Sequence, residues 1–464
     1  MPRLLLASNR GPVSFVEEPD GSLHQRRSGG GLVSALAGAP EDALWVCAAL
    51  TDADRRAVRE GVVVDGPVPT RVLDLDPVVL ERAYNGVANS TLWFAHHLLW
   101  DVPSTPTFDA GTRAEWGAFT AYCSSFAEAL ADAGDPGATV LVQDYHLSLV
   151  PRLLRALRPD LRIGHFSHTP WAPAEYLRLL PDAQSRDLLT GLLGADSVGF
   201  HSPRWAAAFG RCCQELLGAE YDGEVVRHAG GSTRVRVHPL GVAADELRER
   251  AGQPDVALRA AALRAVVGDR QALVRIDRTE LSKNIVRGLE AYRELLVRWP
   301  EHQRRVVHLA FAYPSRHDLP EYREYTGRVQ RLARDINIEL GDPTWQPVHL
   351  EVRDDYARSL AAYSLADVLL VNPVRDGMNL VAKEGPLLSE RGMSLVLSRE
   401  AGAADGLGVD ALLVNPFDVS ETAEALHRAL LTDPADRRAA SDRLAAAAAA
   451  LPPAAWLQQQ LDAL

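Results

Sequence analysis

The chain alternates short apolar runs with longer stretches in which apolar residues recur every three or four positions. The runs include Arg3–Ser8, Thr139–Val142, Arg162–Phe166, Ser197–Phe200 and Arg234–Val237, then Ala272–Ile276, Val306–Ala312, Pro347–Glu351, Val368–Val371, Leu395–Ser398 and Ala411–Val414. A run this short that is apolar at successive positions, as Val368–Val371 is, predicts a strand of a parallel sheet covered on both faces. Helical spacing fills intervals such as Leu147–Ala156, Ile285–Trp299 and Leu380–Leu388, and an alanine-rich tail from Asp433 to Leu464 breaks at Pro452-Pro453. Strand, turn and helix repeated in this order predict an α/β protein. No fixed-period repeat interrupts the pattern.

Polar residues sit just past the runs, at the strand ends where open α/β sheets take their ligands. Val368–Val371 leads to Asp376-Gly377-Met378-Asn379 and then to a helix start at Leu380. A strand, a tight glycine turn and a helix present backbone N–H groups to an anion. Asp376 and Glu384 bracket that turn and could divide labour, one facing a sugar and the other a ribose. Ser8-Asn9-Arg10 ends the first run. A polar loop follows, and Gly29-Gly30-Gly31 opens a helix through Leu36. Gln143-Asp144-Tyr145-His146, Ser167-His168 and His201 end later runs. Ala83–Leu98 mixes Tyr84, Asn85, Asn89, Trp93 and two histidines, a combination suited to sugar hydroxyls and C–H faces.

Composition narrows the chemistry. With 464 residues, two large domains are the expectation, with a boundary in the Ala/Arg/Glu-rich stretch after Val242. The net charge of −12 excludes a general nucleic-acid binder but leaves room for a local basic pocket. Arginine has replaced lysine everywhere except Lys283 and Lys383, which marks Lys283 for a task that needs an ammonium. Arg278 and Lys283 flank one strand-to-helix loop, and Arg316 ends the next strand. Such cations can neutralise a diphosphate, or can pair with the neighbouring Asp277 or Glu280. Cys47, Cys123, Cys212 and Cys213 lack metal-site spacing and are expected as reduced, buried thiols. The apolar run after Met1 is too short for a signal core or a membrane span, so a cytoplasmic protein without a membrane partner is expected.

Taken in order, these motifs resemble those of the trehalose-6-phosphate synthases. The resemblance rests on SNR at Ser8–Arg10, GGL at Gly30–Leu32, YNGVANSTLW at Tyr84–Trp93, DYH at Asp144–His146, H-x-P-W at His168–Trp171, HPLG at His238–Gly241, R-x4-K at Arg278–Lys283 and RDGMNLVAKE at Arg375–Glu384. It implies two Rossmann-like domains facing a cleft, the GT-B glycosyltransferase architecture. The implied domains are 1–242 for the acceptor and 243–445 for the nucleotide sugar, with 446–464 crossing back to the first domain. The implied reaction is retaining transfer of glucose from a nucleotide-glucose donor to glucose 6-phosphate, by front-face attack. It needs no metal, no cofactor and no covalent nucleophile.

By the same resemblance Asp144, His168, Arg278, Lys283 and Asp376 are catalytic. Gly30, Gly31, Gly377, Met378, Asn379, Leu380 and Glu384 bind the donor. Arg10, Tyr84, Trp93 and Arg316 hold the acceptor. The partners implied are the two substrates, with no nucleic acid and no membrane, and a homo-oligomer is left open. The chain departs from the family pattern at Lys283-Asn284, where Lys-Gly is usual, in the Thr279–Ser282 spacer, and at Thr169-Pro170-Trp171. These departures lean towards the related pseudo-glycosyltransferases, which couple a GDP-linked cyclitol to an aminocyclitol phosphate, and towards GDP-glucose over UDP-glucose as donor. A sugar-nucleotide sensor without turnover is the third alternative.

Overall fold

A computed structural model describes residues 3–27, 31–36 and 38–464. The chain forms two compact units: residues 1–240 with the terminal 453–464, and residues 241–452.

The first unit is built on a nine-stranded sheet. Its parallel strands are β1 (Leu4–Ala7), β4 (Leu44–Ala48), β5 (Thr70–Leu73), β6 (Thr139–Gln143), β7 (Arg162–Ser167), β8 (Ser197–Phe200) and β11 (Gly231–Val237). They lie in the order β5-β4-β1-β6-β7-β8-β11, and antiparallel β10 (Val225–His228) and β9 (Glu220–Tyr221) extend the β11 edge. Every residue of β1, β6 and β8 is buried, as apolar runs without alternation require. The direction in which strands are added reverses between β1 and β6, so the loops after these two strands diverge and leave room for a ligand.

The polar loop expected after Pro12 is instead a hairpin of β2 (Val13–Glu17) and β3 (Leu23–Arg27). Phe15 is buried and its N–H donates to Asp54 at 2.7 Å, while Glu17, His24, Arg26 and Arg27 are exposed and the rest are half-buried. A half-exposed ribbon carries too few apolar residues to stand out from a loop.

The second unit holds a six-stranded, all-parallel sheet in the order β14-β13-β12-β15-β16-β17. The strands are β12 (Gln271–Arg278), β13 (Val306–Tyr313), β14 (Val348–Val352), β15 (Val368–Val371), β16 (Ser394–Ser398) and β17 (Leu412–Val414). Successive residues face opposite layers. Val274, Leu369 and Leu397 join one apolar cluster, whereas Leu273, Leu370 and Val396 join the other. Helices cover both faces, and the order is the doubly wound Rossmann arrangement with its reversal between β12 and β15.

The terminal helix Pro453–Asp462 belongs to the first unit, where Trp456 and Leu457 are buried. All four cysteines are buried and unbridged, and burial pushes the thiols of Cys47, Cys123 and Cys212 up to about 12. No described helix is long and apolar enough to cross a membrane.

Candidate functional site

In the first unit, polar residues gather where β1 and β6 end. Trp45 Nε1 donates to Ser8 Oγ at 2.8 Å, and that hydroxyl donates to the Arg10 carbonyl at 2.7 Å. Tyr122 donates to Asn9 Oδ1 at 2.5 Å. The loop is thus fixed from behind while Arg10 itself is exposed.

Beyond β6, Asp144 adopts φ 72°, ψ 166°, a region that side chains other than glycine avoid at a cost of about 1–3 kcal/mol. Its N–H donates to the Phe166 carbonyl at 2.7 Å, and its carboxylate accepts from the His168 N–H at 3.3 Å. His146 Nδ1 lies 3.7 Å from the other carboxylate oxygen. The surrounding structure therefore holds the strain, and the strain aims the carboxylate.

His168 is set by a chain of hydrogen bonds that has one consistent direction. The Leu240 N–H donates to His201 Nδ1 (3.4 Å), so His201 carries its proton on Nε2. That proton goes to His168 Nδ1 at 3.2 Å. His168 Nε2–H then faces Gln143 Oε1 at 3.0 Å, and Gln143 Nε2 donates to Gln460 Oε1 at 3.3 Å on the terminal helix. Burial, then the His201 and His165 rings, hold His168 well below the ordinary imidazole value, which keeps it neutral and the chain intact.

Tyr84 and Trp93 come from consecutive helical segments, Arg82–Leu92 wound as a π-helix and Trp93–His97. The Tyr84 ring stacks on His146, with centroids 5.6 Å apart. Trp93 is buried and stacks on His97 at 3.9 Å, so most of its surface serves the core. Gly31 opens the helix Gly31–Leu36, and Gly30 lies outside the described residues.

In the second unit, the loops after β12, β13 and β15 carry the charged set. Arg278 Nη1 and Arg316 Nη1 lie 2.6 and 3.3 Å from one oxygen, Oε1 of the fully buried Glu280, and Ser315 Oγ donates to the same oxygen at 2.9 Å. Burial alone would raise the Glu280 carboxyl. The Arg278 and Arg316 guanidiniums, with Lys283, outweigh it and bring the value down to about 2. Arg316, which the resemblance assigns to the acceptor, thus shares an anchor with Arg278.

Lys283 Nζ pairs with Asp376 Oδ2 at 2.6 Å, and Asn379 Nδ2 donates to the same oxygen at 3.1 Å. Burial works against the Lys283 ammonium, but Asp376 and Asp277 raise its value above the ordinary one. Lysine has three donors, and among the described residues Asp376 accepts from one of them. Behind this pair, buried Arg275 holds Asn372 at 2.5 Å, Asp277 at 3.0 Å and the Lys283 carbonyl.

Asn284, the departure from the family's Lys-Gly, has φ 60° and ψ 35°. This left-handed conformation explains why glycine is usual there, and asparagine is the side chain that tolerates it best. Its Nδ2 donates to the carbonyls of Asn372 (2.9 Å) and Pro416 (2.7 Å), so the substitution ties the loop to two further segments.

Past Asp376 the chain turns into the helix Val381–Leu388. Gly402 packs beneath the turn so tightly that a Cβ there would stand 2.0 Å from the Gly377 carbonyl oxygen. Met378 and Asn379 are buried, and Asn379 takes φ 73°. Glu384 accepts from Tyr363 OH at 3.1 Å, and its burial raises the carboxyl above the ordinary value.

Arg10, Asp144, His168 and Tyr84 therefore stand with the strand ends of the first unit. Arg278, Lys283, Arg316, Asp376, Asn379 and Glu384 stand with those of the second. No local pattern marks Gln143, His201, Gln460 or Tyr363 for the roles they take, and the sequence offers Glu280 only as an alternative partner for the cations. Its position inside the Arg278–Lys283 loop was the available signal. The others act through contacts made across long stretches of chain.

The model of glycosyltransferase family 20 matches residues 2–464. The trehalose-6-phosphate synthase of Mycobacterium tuberculosis is 37% identical over 458 residues, covering 94% of this chain and 89% of that protein. The UDP-forming alpha,alpha-trehalose-phosphate synthase A of Dictyostelium discoideum is 32% identical over 441 residues, covering 94% of this chain and 58% of that one. This chain thus spans about half the length of several relatives it matches. Among solved structures, a UDP-forming alpha,alpha-trehalose-phosphate synthase from Burkholderia xenovorans in complex with glucose-6-phosphate superposes with a TM-score of 0.84 at 26% identity, covering 99% of each chain.

Proposed function

The chain belongs to glycosyltransferase family 20, and from that premise we propose that it makes trehalose 6-phosphate from UDP-glucose and glucose 6-phosphate, with retention at the anomeric carbon. The observation that carries the reading is the charged set at the β12/β15 reversal. Arg278, Lys283 and the N-terminus of the helix Val381–Leu388 supply positive charge to one strand-end region, and Asp376 and Glu384 supply carboxylates for hydroxyls.

In this reading the bond between the glucose anomeric carbon and the β-phosphate oxygen breaks, and a bond from that carbon to the acceptor hydroxyl forms. The acceptor proton passes to the departing phosphate. Arg278 and Lys283 stabilise the charge that grows on that phosphate. Asp376 orients donor hydroxyls while holding Lys283 in place. In the first unit, Asp144 bonds substrate hydroxyls, neutral His168 is a sugar contact whose ring is fixed by His201 and Gln143, and Arg10 and Tyr84 take the acceptor. UDP replaces GDP as the favoured donor because the similar proteins that name a product are UDP-forming.

The test is a donor and acceptor matrix. Purified protein is offered UDP-, GDP- or ADP-glucose with glucose 6-phosphate or an aminocyclitol phosphate, and the product is identified by NMR. Trehalose 6-phosphate formed fastest from UDP-glucose supports the reading. Coupling only to an aminocyclitol phosphate makes it a pseudo-glycosyltransferase, and binding without product makes it a sensor; either overturns the reading.

A further inference from the structure

The second unit carries a cluster of metal-ligand side chains at the opposite end of its sheet from the charged set. Strand β13 begins at Val306, and the turn Pro300–His302 lies just before it. The helix Val419–Leu431 follows β17 and runs back, so His427 near its end reaches the same edge. Glu301, His302 and His427 each place one ligand atom there, all within 4.8 Å of one another. Among the described residues this is the sole such trio.

We propose that Glu301, His302 and His427 form a site for a divalent transition-metal ion, Zn2+ being the fit for two imidazoles and one carboxylate, and that the ion staples the helix Val419–Leu431 to the turn before β13. His302 Nε2 and His427 Nδ1 face each other at 2.8 Å and share one proton. A metal can take that proton's place. Bonds of about 2.1 Å at a tetrahedral centre separate two nitrogens by roughly 3.4 Å, so the rings must part by only about half an ångström.

The two histidines are already held. The His427 ring lies flat on Trp299, with centroids 4.3 Å apart and planes 11° from parallel. His302 is buried, and its N–H donates to the Trp299 carbonyl at 3.1 Å. Gln303 fastens the turn to the Leu296 carbonyl at 2.9 Å. Glu301 is exposed and can swing in as the third ligand, with water completing the shell. The four cysteines are buried and do not compete for the ion.

The test uses the full chain after chelator treatment. Zn2+ is titrated by calorimetry, Co2+ is followed by visible absorption, and thermal unfolding is recorded with and without Zn2+. One ion per chain, a four-coordinate Co2+ spectrum and a rise in Tm are expected. His427→Gln should remove all three. Glu301→Gln, at an exposed position that leaves folding intact, should weaken affinity about tenfold or more. No binding by the folded wild-type chain overturns the site, and so does binding that both variants leave unchanged. Neither result bears on the glucosyltransfer reading, because the trio lies at the sheet edge that reading does not use.

Discussion

Glu280→Gln isolates the charge that holds the two arginines. The side chain keeps its shape and can still accept from Ser315, but the anion between Arg278 and Arg316 is gone. Their Nη1 atoms sit 2.6 and 3.3 Å from one oxygen, so they lie no more than about 6 Å apart, and two unit charges at that distance repel by about 3 kcal/mol at an effective dielectric constant near 20. Arg278 is half-exposed, and solvent screening brings the figure to about 1–3 kcal/mol.

Linkage expresses the same charges as a pH dependence. The Glu280 carboxyl goes from the ordinary 4.5 to about 2 on folding, and at 1.36 kcal/mol per unit that is about 3 kcal/mol. The folded value is depressed, so this stability is fully present above pH 4.5 and is lost as pH falls through about 2. Glutamine mimics the protonated acid. In urea titrations the variant should therefore be about 1–3 kcal/mol less stable than wild type at pH 7, and the gap should narrow below pH 4.5. Turnover should fall about 10- to 100-fold as the guanidiniums relax outward. Equal stability at pH 7, or a gap that does not change on acidification, would refute the assignment of Glu280 as their anchor.

Other substitutions test other contacts. Lys283→Ala should lower kcat about 10²- to 10³-fold, measured as UDP release, and Lys283→Arg should not restore it, because a planar fork cannot replace an ammonium 2.6 Å from Asp376. Asn284→Ala should cost about 2–4 kcal/mol, from the left-handed backbone and two buried carbonyls left without their donor, and Asn284→Gly should cost less because it removes only the bonds. Gly402→Ala should raise the donor KM tenfold or more in folded protein, because its Cβ would displace the Gly377 carbonyl; an unchanged KM would show that the turn is not part of the donor site.

Most strands were legible because a strand buried on both faces has no reason to alternate. The runs at β1 and β15 are apolar throughout, those at β6, β12 and β13 are apolar at most inner positions, and polar residues follow at their ends. The hairpin Val13–Arg27 escaped because one face is solvent, so its apolar content falls to that of a loop.

The site was legible in kind but not in wiring. Arg278, Lys283 and Asp376 stand out because cations and carboxylates at strand ends are unusual near a buried sheet. Whether they meet depends on strand order. Lys283 and Asp376 are 93 positions apart and touch because β12 and β15 are neighbours. Gln143 reaches Gln460 across 317 positions because the last helix packs on the first sheet. Local periodicity carries no such information, since a sheet's neighbour relations are set by how its helices pack and not by any one segment's pattern. Asn284 makes the converse point. In the sequence it counted as a departure that put the substrate in doubt. The structure gives it a backbone cause: the position needs a left-handed residue, and asparagine meets that need while its amide secures Asn372 and Pro416. A change that satisfies the same dihedral and adds two bonds is a reason to expect the loop's geometry to be kept, and with it the place of Lys283.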